Sequence, residues 1–149
     1  MINYDYSRND AVYFITLCTH GKQEYFKKPQ VAKYIADEIN YRTRTAGEIL
    51  VFAYCIMPDH LHLLLKLNDG YGKTLQKWVA AFKIHTARLL NQLENITPLW
   101  QRNFYEHIVR TDESMKEIAE YIVHSPIRKN MVSNWREYSF LQINYDAFK

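Results

Sequence analysis

Two histidines one residue apart are the first residues of this sequence that could do chemistry together. His60 and His62 stand within the run 54–67, which is otherwise mostly apolar. Successive side chains of a β-strand point to opposite faces, so both imidazoles would project from one face, close enough to share a divalent ion. The alternative is a half-exposed pair that only hydrogen-bonds to its neighbours. Two ligands make an incomplete metal site, so a third must come from elsewhere.

Tyr121 is the second candidate, because it falls at the edge of the buried side of a predicted helix. The residues of that helix expected to face the core are Met115, Ile118, Ala119 and Ile122. At about 100° per residue, Tyr121 lies roughly 120° from the middle of that stripe, with His124 and Ser125 as its neighbours on the helix surface. A tyrosine hydroxyl beside a metal could attack a phosphate. The alternative is that Tyr121, one of 12 tyrosines, only packs.

The elements that would hold these residues follow from the spacing of apolar side chains. Strands are predicted at 11–19, 49–57, 60–67 and 104–110 from their β-branched, aromatic and apolar residues. Helices are predicted from Pro29 towards Gly47, from Leu75 to Leu93, and from Asp112 to about Ser125. The order β-α-β-β-α-β with an extra C-terminal helix is the ferredoxin-like pattern of the α+β class.

This pattern assigns a face of the sheet to each side of the histidine strand. We expect a four-stranded antiparallel sheet with two helices on one face. The leucines that alternate with the histidines should face those helices; they are Leu61, Leu63, Leu65 and Leu67. His60 and His62 then project from the other face, which this pattern leaves free for a ligand.

Length and composition indicate an ordinary globular protein. The 149 residues suit one domain, with an N-terminal arm at 1–10 and an unassigned tail at 132–149. The net charge of +3 permits nucleic-acid binding without arguing for it. Cys18 and Cys55 lack metal-type spacing and are expected to be reduced, buried thiols of a cytoplasmic protein. No apolar run reaches about 18 residues, so no membrane span is expected.

Three segments, in order, resemble one protein family. Residues 57–65, Met-Pro-Asp-His-Leu-His-Leu-Leu-Leu, resemble the HUH motif of the single-tyrosine HUH transposases, especially the REP-associated tyrosine transposases. Residues 100–110 resemble that family's fourth strand. Residues 121–132 resemble its helix with the nucleophilic tyrosine, followed by a proline and basic residues. The resemblance runs from the first strand to about residue 132.

The resemblance implies an enzyme that cuts and rejoins single-stranded or hairpin DNA. In this family a divalent ion, Mg²⁺ or Mn²⁺, is held by the two histidines, here His60 and His62, and one further ligand. The tyrosine, here Tyr121, attacks the phosphate and leaves a 5′-phosphotyrosine link and a free 3′-hydroxyl. The family contains monomers and also homodimers that exchange the tyrosine helix.

One position departs from the family pattern. Relatives commonly carry Asn or Gln four residues after the tyrosine, as a candidate metal ligand, where this chain has Ser125. Serine is a poorer ligand. We therefore expect His124 to complete the site, with His107, Ser125 or water as alternatives.

Basic residues near the predicted second and third helices are candidates for phosphate contacts. They are Lys73, Lys77, Lys83, Arg88, Arg110, Arg128 and Lys129. Each of them could equally be a solvated surface charge. A second hypothesis is a ferredoxin-like domain that binds single-stranded nucleic acid without cleaving it, and Ser125 gives it weight. A metabolite-binding regulatory domain would leave the histidine pair unexplained.

Overall fold

A computed structural model describes residues 11–110 and 112–148 of the chain. Its strands are β1 (Val12–Cys18), β2 (Ile49–Met57), β3 (His60–Leu67), β4 (Tyr105–Val109) and β5 (Leu141–Ile143). Its helices are α1 (Pro29–Asn40), α2 (Leu75–Glu94), α3 (Asp112–Val123) and the single turn α4 (Ser125–Arg128). The arm expected at 1–10 lies outside the described residues. No helix within the described residues is both long and apolar enough to cross a membrane.

The sheet has the strand order β4-β1-β3-β2-β5, and every neighbouring pair is antiparallel. Its first four strands confirm the predicted ferredoxin-like arrangement. The prediction of four strands was wrong by one, because the tail supplies β5. This short strand pairs with the outer edge of β2, where Ala53, Tyr54 and Cys55 face Ile143, Gln142 and Leu141.

The two long helices cover one face of the sheet, as predicted. Leu61, Leu63 and Leu65 of β3 are fully buried and belong to one apolar cluster with residues of α1 and α2, including Ile35 and Trp78. Alternation along β3 therefore sends every second residue, from Leu61 to Leu67, into this core and the histidines to the opposite face.

A buried ion-pair network joins α1, the turn that follows it and α2. Arg42 donates to Glu38 at 3.0 Å and to Glu48 at 2.9 Å, and its guanidinium lies 5.9 Å from the centre of the Trp78 ring. The Trp78 indole N–H donates to the same Glu48 oxygen at 3.0 Å. Arg42 is 8% exposed, so its charge depends on these carboxylates instead of water.

The face that carries the histidines is only partly free, which corrects the prediction. A second apolar cluster lies there, formed by β2 and β3 residues such as Phe52 and Leu64 together with Ala119 and Ile122 of α3. The tail beyond α4 packs against the same cluster through Phe148. α3 packs chiefly on β2, β3 and β5, and the part of this face around Tyr105 of β4 remains accessible.

The third helix ends earlier than predicted. It stops at Val123, and the chain then forms α4, with Pro126 in the first turn. Proline has no amide hydrogen to continue a helix but fits the first turn of a new one, so the helix breaks here and restarts. The guanidinium of Arg128, in α4, lies against the Tyr121 ring.

Candidate active site

The first residues of β3 line a pocket of about 260 Å³ between β1, β3 and α3. The imidazole rings of His60 and His62 have centres 4.6 Å apart, so the strand brings the pair together as its alternation predicts. Thr16 and Cys18 of β1 stand directly opposite His62 and His60 in the sheet register and line the same pocket.

Each histidine is held by a hydrogen bond to its inner ring nitrogen. His60 Nδ1 lies 2.6 Å from an Asp59 carboxylate oxygen, and His62 Nδ1 lies 2.8 Å from the Thr16 hydroxyl. A carboxylate can only accept, so His60 Nδ1 donates this bond, and in the neutral imidazole the lone pair is then on Nε2. Partners of this kind usually stand behind metal-bound histidines and orient them.

His62 is suited to bind a metal ion because it stays neutral. Burial, together with the nearby His60 and Arg128, lowers the pKa of His62 to about 3. An imidazole must be unprotonated to bind a metal, and this one would be so throughout the physiological range.

Tyr121 stands on the α3 side of the same pocket and is half exposed. Its ring centre is 5.9 Å from that of His62, and both side chains come from one chain. The guanidinium of Arg128 lies 3.9 Å from the centre of the Tyr121 ring and donates to the Ser125 hydroxyl at 2.9 Å. A tyrosine side chain, two imidazoles and a guanidinium thus line one small cavity.

The three candidates for the third ligand are placed differently. His124 is not brought to the pair: it lines a separate cavity behind α3, and its Nδ1 lies 2.7 Å from the Glu120 carbonyl oxygen. His107 is exposed on the edge strand β4, outside the pocket. Ser125 does line the pocket, but its hydroxyl is already bonded to Arg128 and to the Tyr121 carbonyl.

The donor set is therefore a half-site. Among the described residues, no group of three His, Cys, Asp or Glu side chains could hold a metal ion. His60 and His62 have the chemistry of ligands, and the remaining positions would be left to water and substrate oxygens. A divalent ion that keeps several waters and binds substrate phosphate would suit such a set.

Only two of the predicted phosphate-binding residues line this pocket, Arg128 and Lys129. Lys83 instead donates to the Gln101 carbonyl at 2.8 Å, and burial lowers its pKa. Lys77 and Arg88 lie on α2, and Lys73 lies just before it. This helix covers the other face of the sheet. Arg110 is exposed just beyond β4, outside the pocket.

Sequence reasoning missed Thr16, Asp59 and Lys22, all close to the histidines. Asp59 had a signal, since it directly precedes His60. Thr16 could not be placed, because its contact depends on the register between β1 and β3. Lys22 lines the pocket from a short 3₁₀ turn after β1, and nothing in its local sequence predicts this.

Known proteins resemble this chain in sequence and in fold. Residues 7–125 match the family model described as "Transposase IS200 like", which is most of the chain. The chain belongs to the IS200-like transposase family. The resemblance noted in the sequence is therefore confirmed, and the matched region includes the histidine pair, Tyr121 and Ser125.

Relatives of this IS200-like transposase include REP-associated enzymes. A Haemophilus influenzae protein provisionally named REP-associated tyrosine transposase is 26% identical over 164 residues, covering 99% of this chain and 88% of that protein. The Escherichia coli K12 REP-associated tyrosine transposase is 24% identical over 97 residues, covering 64% of this chain and 54% of that protein.

Solved structures show the same fold. A REP-associated tyrosine transposase bound to a REP hairpin superposes with a TM-score of 0.71 at 19% identity, covering 95% of this chain and 82% of that one. A provisionally assigned Deinococcus radiodurans transposase superposes with a TM-score of 0.56 at 17% identity, covering 87% and 98%. These likenesses support the α+β architecture of this IS200-like transposase.

Proposed function

We propose that this transposase cleaves and rejoins single-stranded DNA at a hairpin through a covalent link to Tyr121. The observation that carries the proposal is the shared pocket, in which Tyr121 faces His62 and Arg128. A hairpin is the ligand in the structural neighbour, which supports the same class of substrate for this chain.

In the proposed reaction, the Tyr121 hydroxyl oxygen attacks the scissile phosphorus. A phosphorus–oxygen bond to tyrosine forms while the bond to the 3′-oxygen breaks. The phenol loses its proton to solvent, and the leaving 3′-oxygen takes one up. The 5′-phosphotyrosine link preserves the energy of the phosphodiester, so that a 3′-hydroxyl can reverse the step and join a new end.

Two groups of this chain act on the phosphate. Arg128 is held by Ser125 and by the Tyr121 ring, so its positive charge is fixed where negative charge builds up during attack. His60 and His62 would hold Mg²⁺ or Mn²⁺, with their rings oriented by Asp59 and Thr16. When bound, such an ion supplies charge that polarises a phosphate oxygen.

The test is covalent capture. Wild-type protein with Mn²⁺ and end-labelled single-stranded hairpin DNA should give an adduct that survives denaturing electrophoresis. Tyr121→Phe should give none and should bind the DNA as before, because it loses only the hydroxyl. Tyr145→Phe removes the hydroxyl of another exposed tyrosine and should keep the adduct. An adduct of normal yield from Tyr121→Phe would refute the assignment.

A second function is favoured by one observation. Ser125 stands where relatives commonly carry Asn or Gln, and its hydroxyl is bonded to Arg128 and to the Tyr121 carbonyl. A domain that binds single-stranded nucleic acid without cleaving it would tolerate such a half-site. DNA binding with no adduct under Mg²⁺, Mn²⁺ or any other divalent ion tried would support this function.

A further inference from the structure

A second groove adjoins the histidine pocket and has a different character. It has a volume of about 500 Å³ and is mainly apolar, with Phe14, Tyr105, Glu117 and Ile118 along its walls. We call it the aromatic groove. It shares Thr16, His62 and Tyr121 with the histidine pocket, so anything bound there touches the proposed nucleophile.

The aromatic groove presents ring faces and edges to solvent. The Phe14 ring centre lies 5.8 Å from that of Tyr105, 6.2 Å from that of Tyr121 and 5.6 Å from that of His62. Tyr105 is 56% exposed and Tyr121 is 51% exposed, values that place them among the most exposed large side chains of the described residues.

The fold keeps these rings uncovered. Tyr105 pairs with Thr16 across β4 and β1, and Thr16 pairs with His62, so all three side chains share one face of the sheet. α3 packs chiefly on β2, β3 and β5, and it leaves Tyr105 of β4 and its own Tyr121 more than half exposed. The groove is therefore open along the edge strand, next to where the scissile phosphate would lie.

The charges of the groove favour a base over a phosphate. Among the described residues, no Lys or Arg lines it, and its one charged residue is the exposed Glu117. A carboxylate repels phosphate but accepts a hydrogen bond from the exocyclic amino group of cytosine, adenine or guanine. Aromatic rings, in turn, stack on any base that is not covered by its neighbours.

We propose that the aromatic groove binds the unpaired base next to the cleaved phosphate, which stacks on Tyr105 and Phe14 while Glu117 accepts a hydrogen bond from its amino group. This inference rests on the proposed function only for the position of the phosphate. A base within a duplex does not fit, because the neighbouring base pairs cover the faces that would stack on Tyr105 and Phe14. Thymine, which has no amino group, is the disfavoured base.

The base preference is tested by covalent capture from a pool of DNA strands. Wild-type protein and Mn²⁺ are given hairpin DNA whose flanking single strand is randomised, and the covalently captured strands are sequenced. We expect thymine to be depleted at one position beside the cut. Glu117→Ala should remove that depletion, whereas Lys116→Ala, which changes an exposed neighbour outside the groove, should keep it.

Substitutions of Tyr105 test the proposed stacking. Loss of one base–aromatic stack should lower capture by Tyr105→Ala about 5- to 100-fold. Tyr105→Phe keeps the ring and should stay near wild type. Tyr145→Ala, which removes an equally exposed tyrosine from the far side of α3, is the matched control. Equal capture by Tyr105→Ala and wild type, with no base bias in either, would overturn the inference.

A binding measurement separates this inference from the proposed function. Single-stranded DNA carrying 2-aminopurine, whose fluorescence is quenched by stacking, is titrated with each protein in the absence of metal. Quenching by wild type and by Tyr121→Phe, but not by Tyr105→Ala, supports the groove even if no adduct ever forms. The opposite result is adduct formation with equal quenching by wild type and Tyr105→Ala, wherever the probe is placed. It would reject base binding in the aromatic groove and would leave the proposed cleavage through Tyr121 standing.

Discussion

At the scale of single residues, each histidine is oriented by one hydrogen-bond partner. The Asp59 carboxylate holds the His60 ring and the Thr16 hydroxyl holds the His62 ring, each at Nδ1, which leaves Nε2 of both rings outside these bonds. An ion bound by these two proposed ligands would depend on the orientation of both rings. Loss of either partner should therefore lower the metal affinity.

We expect Asp59→Asn to weaken Mn²⁺ binding by about 10- to 100-fold, measured by isothermal titration. Asp37→Asn alters an exposed carboxylate on α1 and should leave the affinity unchanged. His124→Ala and His107→Ala should also match wild type, since neither side chain lines the pocket. Equal affinity of Asp59→Asn and wild type would mean that His60 does not need its carboxylate.

At the scale of elements, the junction of α3 and α4 surrounds Tyr121. Arg128 follows Tyr121 by seven positions, about two helical turns, which places both on the same side, and the guanidinium lies against the Tyr121 ring. Ser125 is buried in the histidine pocket, whereas His124 lines the cavity behind α3.

We expect Arg128→Ala to slow adduct formation by about 10- to 100-fold at saturating DNA, because a fixed charge near the phosphate is lost. Arg128→Lys should recover only part of the rate, since lysine cannot both stack on the ring and reach Ser125. Arg136→Ala removes another arginine stacked on an aromatic ring, Trp135, and should cut normally. An unchanged rate in Arg128→Ala would show that Arg128 serves only the fold.

The network around Arg42 should stabilise the helical layer. Arg42→Ala leaves two carboxylates partly buried without their cation, so we expect the free energy of unfolding to fall by about 3 kcal/mol in urea titrations. Lys33→Ala breaks an exposed pair with Asp37 on the same helix and should cost less than about 1 kcal/mol. Comparable losses in the two variants would contradict this ranking.

Sequence patterns predicted the elements better than their arrangement on the histidine face. Alternation along β3 was enough to place His60 and His62 together, and the apolar stripe of α3 was enough to put Tyr121 at its edge. Neither pattern says which face α3 covers. The three residues of β5, Leu141–Ile143, are too few for a periodic signal, so the tail could not be assigned.

The third ligand shows the limit of spacing arguments most clearly. His124 and Ser125 follow Tyr121 by three and four positions, and both spacings place a residue near it on an ideal helix. About 100° of rotation separates them, and the rotation of α3 on the sheet decides which one faces the pocket. That rotation is set by long-range packing of Ala119 and Ile122 against β2 and β3.

At the scale of the whole molecule, ion binding should be coupled to folding. His60 and His62 lie side by side only when β3 is formed, so an ion bound to both stabilises the folded state. At about 100 times its dissociation constant, Mn²⁺ should add about 2.7 kcal/mol and raise Tm by roughly 5–10 °C in a thermal melt. His60→Ala should show no such rise. A rise of equal size in His60→Ala would place the ion elsewhere.

The position of Tyr121 bears on how two gene copies work together. Tyr121 and His62 of one polypeptide have ring centres 5.9 Å apart, so a single copy can supply both halves of the proposed site. Two inactive alleles, one encoding His60→Ala and the other Tyr121→Phe, should therefore fail to complement each other when co-expressed. Restored cleavage in such a cross would reveal that two copies exchange the helix that carries the tyrosine. Its absence would mean that each gene product completes its own site.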